Sequence, residues 1–336
     1  MKLKEALTYD DVLLVPQYSE IASRSQIELT SFLGDIPRPT PILSSPMDTV
    51  SELDMAIAMK REGGTAIIHR YCSIEEQCKM VEIAAHPVGA AIGATDDYFN
   101  RARDVAKAGA SFLCIDVAHG HHIFVKEAIQ RLRGWFGQTI HIMAGNVATL
   151  EGFNDLADWG ADSIRCNIGG GSICSTRIQT GHGMPGLETI FQCAKSDRNV
   201  SIIADGGIRS SGDIVKALAA GADFVMLGSL LAGTDEAPGN KIERDGRFWK
   251  EYRGMASKDA QMDWRGASST PEGISSIVPY VGTVGLVMED LKGGIRSGLS
   301  YSGASNIAEL QAKAKFVRQT AAGAVESNTH ILLRSK

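Results

Sequence analysis

Short uninterrupted apolar runs, each followed by a small polar cluster and then by a stretch of helical periodicity, recur along this chain at 41–45, 64–69, 88–93, 111–116, 139–145, 162–168, 200–205 and 223–228. Runs that are apolar throughout, rather than alternating, suit parallel strands covered on both faces. Eight strand–helix units suit closure into a (β/α)8 TIM barrel, an α/β fold. The intervening stretches support this, because 100–109 and 211–221 each end in a glycine suited to helix termination. An Ala-Gly-Ala or Trp-Gly-Ala-Asp step recurs just before a strand, at 108–110, 159–162 and 220–223. In such barrels chemistry gathers at the carboxyl ends of the strands. That rule singles out Ser45-Pro-Met47-Asp48, His69, Asp116 to His119, Gly145-Asn146, the glycine-rich 167–177, Asp205-Gly-Gly207 and Gly228-Ser229.

Beyond the eighth run, 240–272 is too rich in charge and small residues to be core. Loops this long in compact domains are usually functional or disordered, and the stretch from about 256 to 272 reads as a mobile flap after strand 8 rather than a passive excursion. Trp264 in so polar a segment needs a surface to cover. The stretch 307–323 reads as a closing helix, and the whole chain, 1–336, as one catalytic domain.

The 336 residues are ample for a large core, and 44% hydrophobic with 22% charged residues is ordinary for a globular enzyme. A net charge of -5 argues against a general nucleic-acid binder, which needs a basic face to neutralise many phosphates. Six scattered cysteines without CxxC spacing point to a reducing, cytoplasmic setting and to no zinc site. No apolar run reaches the roughly 18 to 20 residues of a membrane span.

The most informative stretch is Asn167-Ile-Gly-Gly-Gly-Ser-Ile-Cys-Ser-Thr-Arg177. Gly169, Gly170 and Gly171 let successive N–H groups converge on an anion, and Ser172 adds a hydroxyl donor. Together with Asp205-Gly-Gly207 and Gly228-Ser229 this implies a shared phosphate pocket. Cys174, flanked by Ser175, Thr176 and Arg177, is placed to be a nucleophile, because nearby positive charge favours the thiolate. A small buried hydrophobe in an ordinary turn is the plainer alternative. His119, His121 and His122 lack a further ligand at metal spacing and read as surface or supporting residues. His69 reads as a hydrogen-bonded packing residue, Cys166 as core, and Arg165 as a brace for the catalytic loop.

With these residues in view, the chain resembles the inosine monophosphate dehydrogenase and guanosine monophosphate reductase superfamily. The likeness runs through 7–16, Ser44 to Val50, Met143 to Asn146, Gly171 to Cys174, Ala204 to Arg209, Tyr252 to Met255 and Pro271 to Gly273. There is no room after 73–85 for the paired regulatory (CBS) modules that most family dehydrogenases insert. The resemblance implies that Cys174 adds to C2 of a purine nucleoside monophosphate, assisted by Thr176 and Glu272. It also implies phosphate contacts from Ser172, Gly207, Gly228, Ser229 and Tyr252, ribose contacts from Asp205, and a base near Met255 and Glu272. Ser45, Met47, Gly254 and Arg265 are further substrate-binding residues on the same ground. Asp116 and Asn146 are expected toward the nicotinamide, and backbone carbonyls of Gly169, Gly171 and Cys174 at a potassium or other monovalent-cation site. A homotetramer is expected by resemblance alone.

Family dehydrogenases activate water with an adjacent Arg-Tyr pair on a long flap, whereas family reductases have a short flap with an aromatic-Arg pair. Here no Arg-Tyr pair lies between Met255 and Glu272, and Trp264-Arg265 precedes Glu272. This favours reduction of GMP, or of dGMP, by NADPH to the inosine nucleotide and ammonia. The alternatives are an IMP dehydrogenase using NAD+ and a nucleotide-binding regulator without turnover. The segments 233–239 and 204–209 resemble dehydrogenases, while 224–228 and 180–181 resemble reductases. Asn167 stands where glycine is usual, Gly170 where proline or serine is usual, and Gly186 where glutamine commonly follows Pro185.

Overall fold

A computed structural model describes residues 3–329. The N-terminal arm contributes β1 (Val12–Leu14) and a hairpin of β2 (Ser31–Leu33) and β3 (Ile36–Arg38). Alternating elements then follow: β4 (Ile42–Ser44), α1 (Leu53–Arg61), β5 (Thr65–Ile68), α2 (Ile74–Ala84), β6 (Gly89–Ile92), α3 (Tyr98–Lys107), β7 (Phe112–Asp116), α4 (Ile123–Phe136), β8 (His141–Val147), α5 (Leu150–Trp159) and β9 (Ser163–Cys166). A short α6 (Thr176–Thr180) and α7 (Gly186–Cys193) lead to β10 (Ser201–Asp205), α8 (Ser211–Ala219), β11 (Phe224–Leu227) and α9 (Ser229–Ala232). Strands β4 to β11 are all parallel and close into a barrel, with β11 pairing back to β4. Each of the eight apolar runs coincides with one of these strands, with β8 running two residues past the end of its run.

Two apolar clusters hold the barrel together. One lies between sheet and helices; the smaller fills the barrel with Leu43, Ile67, Ala91, Phe112, Cys114, Met143, Ile203, Phe224 and Met226. Leu33, from the β2–β3 hairpin, joins this inner cluster and is fully buried, so the hairpin plugs the barrel floor. Strand β9 differs from its neighbours. Its Ile164 and Cys166 belong to the outer cluster, which by the two-residue period of a strand turns Ser163 and Arg165 inward. A charged side chain therefore sits inside the upper barrel.

Two expectations about the later part of the chain need correction. The polar segment 240–272 is not an extended loop: it holds β12 (Lys241–Arg244), β13 (Arg247–Arg253) and α10 (Lys258–Arg265). With β14 (Ser275–Pro279) the two strands form an antiparallel sheet in the order β12-β13-β14. Its pairing and a few inward residues, among them Lys250 and Tyr252, hold it despite its polarity. After α11 (Val284–Tyr301), the stretch 307–323 is not one helix either. It breaks into α12 (Ile307–Lys313), β15 (Phe316–Arg318) and the start of α13 (Ala321–Glu326). The backbone turns extended at Ala314, β15 pairs antiparallel with β1, and Phe316 packs edge-on against Phe191 at 5.0 Å. A ladder to the far end of the chain outweighs local helical periodicity.

Candidate active site

The carboxyl ends of the barrel strands surround a cavity of about 500 Å³. The loop after β9 supplies Gly169, Gly171, Ser172, Cys174 and Thr176; the turns after β10 and β11 supply Asp205, Gly207, Gly228 and Ser229. Ser45 and Met47 follow β4, Asp116 ends β7 and Asn146 lies near the end of β8. Tyr252, Gly254, Met255 and Glu272 enter from the segment around α10. Of the expected site residues only Arg265 lies outside the lining. It is exposed at the end of α10, where the α10 residues buried toward the protein are Ala260 and Gln261.

At the centre, the Cys174 thiol donates to the Thr176 hydroxyl at 3.2 Å, and that hydroxyl donates to Glu272 Oε2 at 2.8 Å. Local backbone pairing creates this chain. Ser175 N–H donates to Glu272 O at 2.9 Å and Ile274 N–H to Ile173 O at 3.0 Å, so 173–175 and 272–274 form a short antiparallel bridge. Residues almost one hundred positions apart are thereby held in register. The Arg177 charge, expected beside the thiol, is directed elsewhere. Its guanidinium donates to the carbonyls of Ile168 and Met184 and so clamps the root of the loop.

The phosphate side is built for close approach. Gly206 and Gly207 both have left-handed φ, 84° and 77°, which lets consecutive N–H groups face one concavity. A Cβ on Gly228 would stand 2.6 Å from the Tyr252 hydroxyl oxygen, so only glycine fits beneath that ring. Burial pushes the Tyr252 phenol up to about 12, although a hydrogen bond with Ser172 pulls the other way. The hydroxyl therefore remains a donor throughout the neutral range.

Beside it lies a buried charge network. Arg165, 6% exposed, donates from Nη1 to Asp116 Oδ1 at 2.6 Å and from Nη2 and Nε to Asp205 Oδ2 at 2.9 and 3.0 Å. Asn146 Nδ2 reaches the same Asp205 oxygen at 2.8 Å. Burial opposes the guanidinium charge, but Asp205, Cys114 and Asp116 around it drive its pKa above the ordinary value. Three donors thus fix Asp205 Oδ2 while no described donor reaches Oδ1, which is placed to accept from a ligand hydroxyl. Arg165 braces the floor of the site rather than the catalytic loop itself.

Arg70 and Tyr71, which sequence reasoning passed over, also line the cavity. Their signal was positional, since they directly follow the apolar run that ends at His69. Arg70 Nη2 donates to Asp116 O at 3.4 Å, and its Nε is buried without a partner among the described residues. Tyr71 stacks on Trp264 of α10 with ring centroids 5.7 Å apart, so this ring is the surface that Trp264 covers. Arg253 further ties the segment to the barrel through Asp48, at 2.6 Å, and Asp263, at 2.5 Å. His69 is buried and bonded to Glu52 at 3.0 Å and to Tyr71 N–H at 3.1 Å, a packing role. His121 bonds Asp155, and His122 caps α4.

A barrel enzyme with a nucleotide-sized cavity, a glycine-rich anion cradle and a cysteine in hydrogen-bond contact with a hydroxyl and a carboxylate is the class that this arrangement defines. A family model for the IMP dehydrogenase / GMP reductase domain matches residues 6–330, and the chain belongs to that family, whose members are oxidoreductases acting on purine nucleotides. An inosine-5'-monophosphate dehydrogenase of Nitrosopumilus maritimus is 33% identical, over 99% of this chain and 100% of that protein. A GMP reductase of Leishmania major is 32% identical, over 98% and 97%. A crystal structure of a cysteine-to-alanine variant of GMP reductase from Trypanosoma brucei, in complex with guanosine 5'-monophosphate, superposes with a TM-score of 0.94 at 33% identity. It covers 98% of this chain and 99% of that one.

Proposed function

We propose that this chain is a GMP reductase, converting guanosine monophosphate or its deoxy form to the inosine nucleotide and ammonia. The observation that carries this reading is the continuous hydrogen-bond path from Cys174 Sγ through Thr176 to Glu272. It runs from the nucleophile to a carboxylate and offers a proton route to and from one point of the purine. The Cys174 proton leaves along that path as sulfur bonds to C2. Glu272 and Thr176 return a proton to the exocyclic amine, which departs as ammonia and leaves the purine bonded to sulfur. When bound, a nicotinamide cofactor would supply a hydride to C2; breakage of the C2–S bond then gives the product and free Cys174.

Ser172, Gly207, Gly228, Ser229 and Tyr252 would hold the phosphate, Asp205 Oδ1 the sugar hydroxyls, and Met47 and Met255 the base. Asp116, held by Arg165, and Asn146, bonded to Asp205, would face the nicotinamide of NADPH. The carbonyls of Gly169, Gly171 and Cys174 are hard oxygen donors of the kind a potassium ion takes.

One observation favours the dehydrogenase reading, with NAD+ and IMP. Arg70-Tyr71 is an adjacent Arg-Tyr pair in the cavity wall, and the Arg70 Nε–H, without a partner among the described residues, is a donor able to orient a water. Following the near-ultraviolet absorbance of reduced nicotinamide in two mixtures separates the readings. Loss of signal with GMP and NADPH, with ammonia released and no change in a Cys174→Ala variant, establishes the reductase. Gain of signal with IMP and NAD+ instead, abolished by Arg70→Gln, establishes the other.

A further inference from the structure

We propose that Asn167 is a positioning residue. Its side chain is the wedge that sets the gap between the loop carrying Cys174 and the turn Asp205 to Gly207. Gly170 lacks a side chain because the wedge takes its space, and Gly186 lies close against the same amide. The proposal rests on the reading above only in taking those two segments as the cradle of a nucleoside monophosphate's phosphate and sugar.

Asn167 is placed at visible cost. Its φ of 146° lies in the region that favours glycine, and its side chain is 3% exposed with Oδ1 buried and unpaired among the described residues. A glycine at this position would carry neither the backbone strain nor the orphaned acceptor. Such costs persist where the surrounding structure uses them.

What the side chain does is specific. Its Nδ2 donates to Gly206 O at 3.3 Å, linking the root of the catalytic loop to the turn after β10. The main chain of Asn167 is pinned to the end of β8, with its N–H on Val147 O at 2.8 Å and its carbonyl accepting from Asn146 Nδ2 at 3.1 Å. One residue therefore joins the ends of β8, β9 and β10.

The space around the amide completes the argument. A Cβ on Gly170 would lie 2.1 Å from Asn167 Nδ2 and 2.7 Å from its Cγ; one on Gly186 would lie 3.2 Å from Nδ2. On the other side loop and turn are already in contact, because a Cβ on Gly207 would meet Gly170 O at 3.2 Å. Any side chain at 170 displaces the wedge, and the wedge displaced no longer holds Gly206 O or sets the gap. Positions 167 and 170 thus share one volume, and 186 lies against the same amide.

The test is a double-mutant cycle on the full chain: wild type, Asn167→Gly, Gly170→Ala and the pair combined. The readouts are GMP affinity by calorimetry, melting midpoint, and KM for nucleotide and NADPH. Asn167→Gly is expected to weaken GMP binding about tenfold while leaving the NADPH KM within about twofold. Gly170→Ala alone is expected to lose at least as much, and the pair to recover to the level of Asn167→Gly, a non-additivity of the size that contacting residues show. Should Gly170→Ala fail to fold, recovery of folding in the pair carries the same meaning. The proposal is overturned if Gly170→Ala binds like wild type, if losses in the pair add, if both KM values rise equally, or if wild type binds no nucleotide. Compensation with tight GMP binding but no turnover in either direction refutes the reductase and dehydrogenase readings and leaves the wedge standing.

Discussion

Replacing Glu272 by glutamine isolates the proton path from everything else that Glu272 does. The amide is nearly isosteric, and its carbonyl oxygen still accepts from Thr176, whose hydroxyl lies 2.8 Å from the carboxylate. The main-chain bonds of residue 272, to Ala256 O at 3.1 Å and from Ser175 N–H at 2.9 Å, are untouched, so the bridge that seats Cys174 persists. What is lost is an acceptor able to take and return a proton. A positioned acid or base contributes roughly 10²- to 10⁴-fold. With both the thiol proton and the amine proton routed through one carboxylate, a fall in kcat of about a thousandfold is expected, or about 4 kcal/mol of barrier. The nucleotide KM should stay within about threefold. Single-turnover mixing of enzyme, GMP and NADPH, read by nicotinamide absorbance and ammonia release, measures the chemical step directly. An unchanged single-turnover rate refutes the path; a raised KM with kcat intact reduces Glu272 to a contact with the base.

Three further outcomes follow from the geometry. Trp264→Ala removes the stacking on Tyr71 and the cation contact with Arg101 at 5.9 Å, together worth about 1 to 2 kcal/mol. Faster proteolytic cleavage within 256–272 and a KM about tenfold higher are expected, and unchanged cleavage rules out the latch. Arg165→Met leaves Asp116 and Asp205 without their shared cation in a buried site, which should cost about 3 to 5 kcal/mol in urea unfolding; a loss below about 1 kcal/mol contradicts that account. Burial pushes the Asp223 carboxyl up to about 6, against the pull of its bond from Ile202 N–H. Its folded pKa lies above the unfolded value of about 3.9, so it lowers stability as pH rises through that window and does so fully above it. Asp223→Asn should therefore stabilise the protein by about 2 to 3 kcal/mol at pH 8 and hardly at all at pH 4. A melting-point difference that does not vary with pH excludes this.

The parts of this protein legible in the sequence are those set by neighbours along the chain. The apolar runs located all eight barrel strands, because a strand covered on both faces must be apolar throughout, and the strand-end rule then gathered most of the cavity wall. The glycines of 169–171 and 206–207 were readable for the same reason, as their backbone freedom is a property of the residue itself. Tertiary structure alone decided which of these groups face one another. It turned Arg177 from Cys174 to two loop carbonyls, left Arg265 outside, brought Arg70 and Tyr71 in, and split the expected closing helix so that β15 could pair with β1. It also stacked Trp264 on Tyr71 and bridged 173–175 to 272–274, which sets the Cys174, Thr176 and Glu272 path. Apart from the Arg177 clamp, which is local to its own loop, these are decided by segments far apart in the chain and by the packing of the whole barrel, and no local periodicity carries that information.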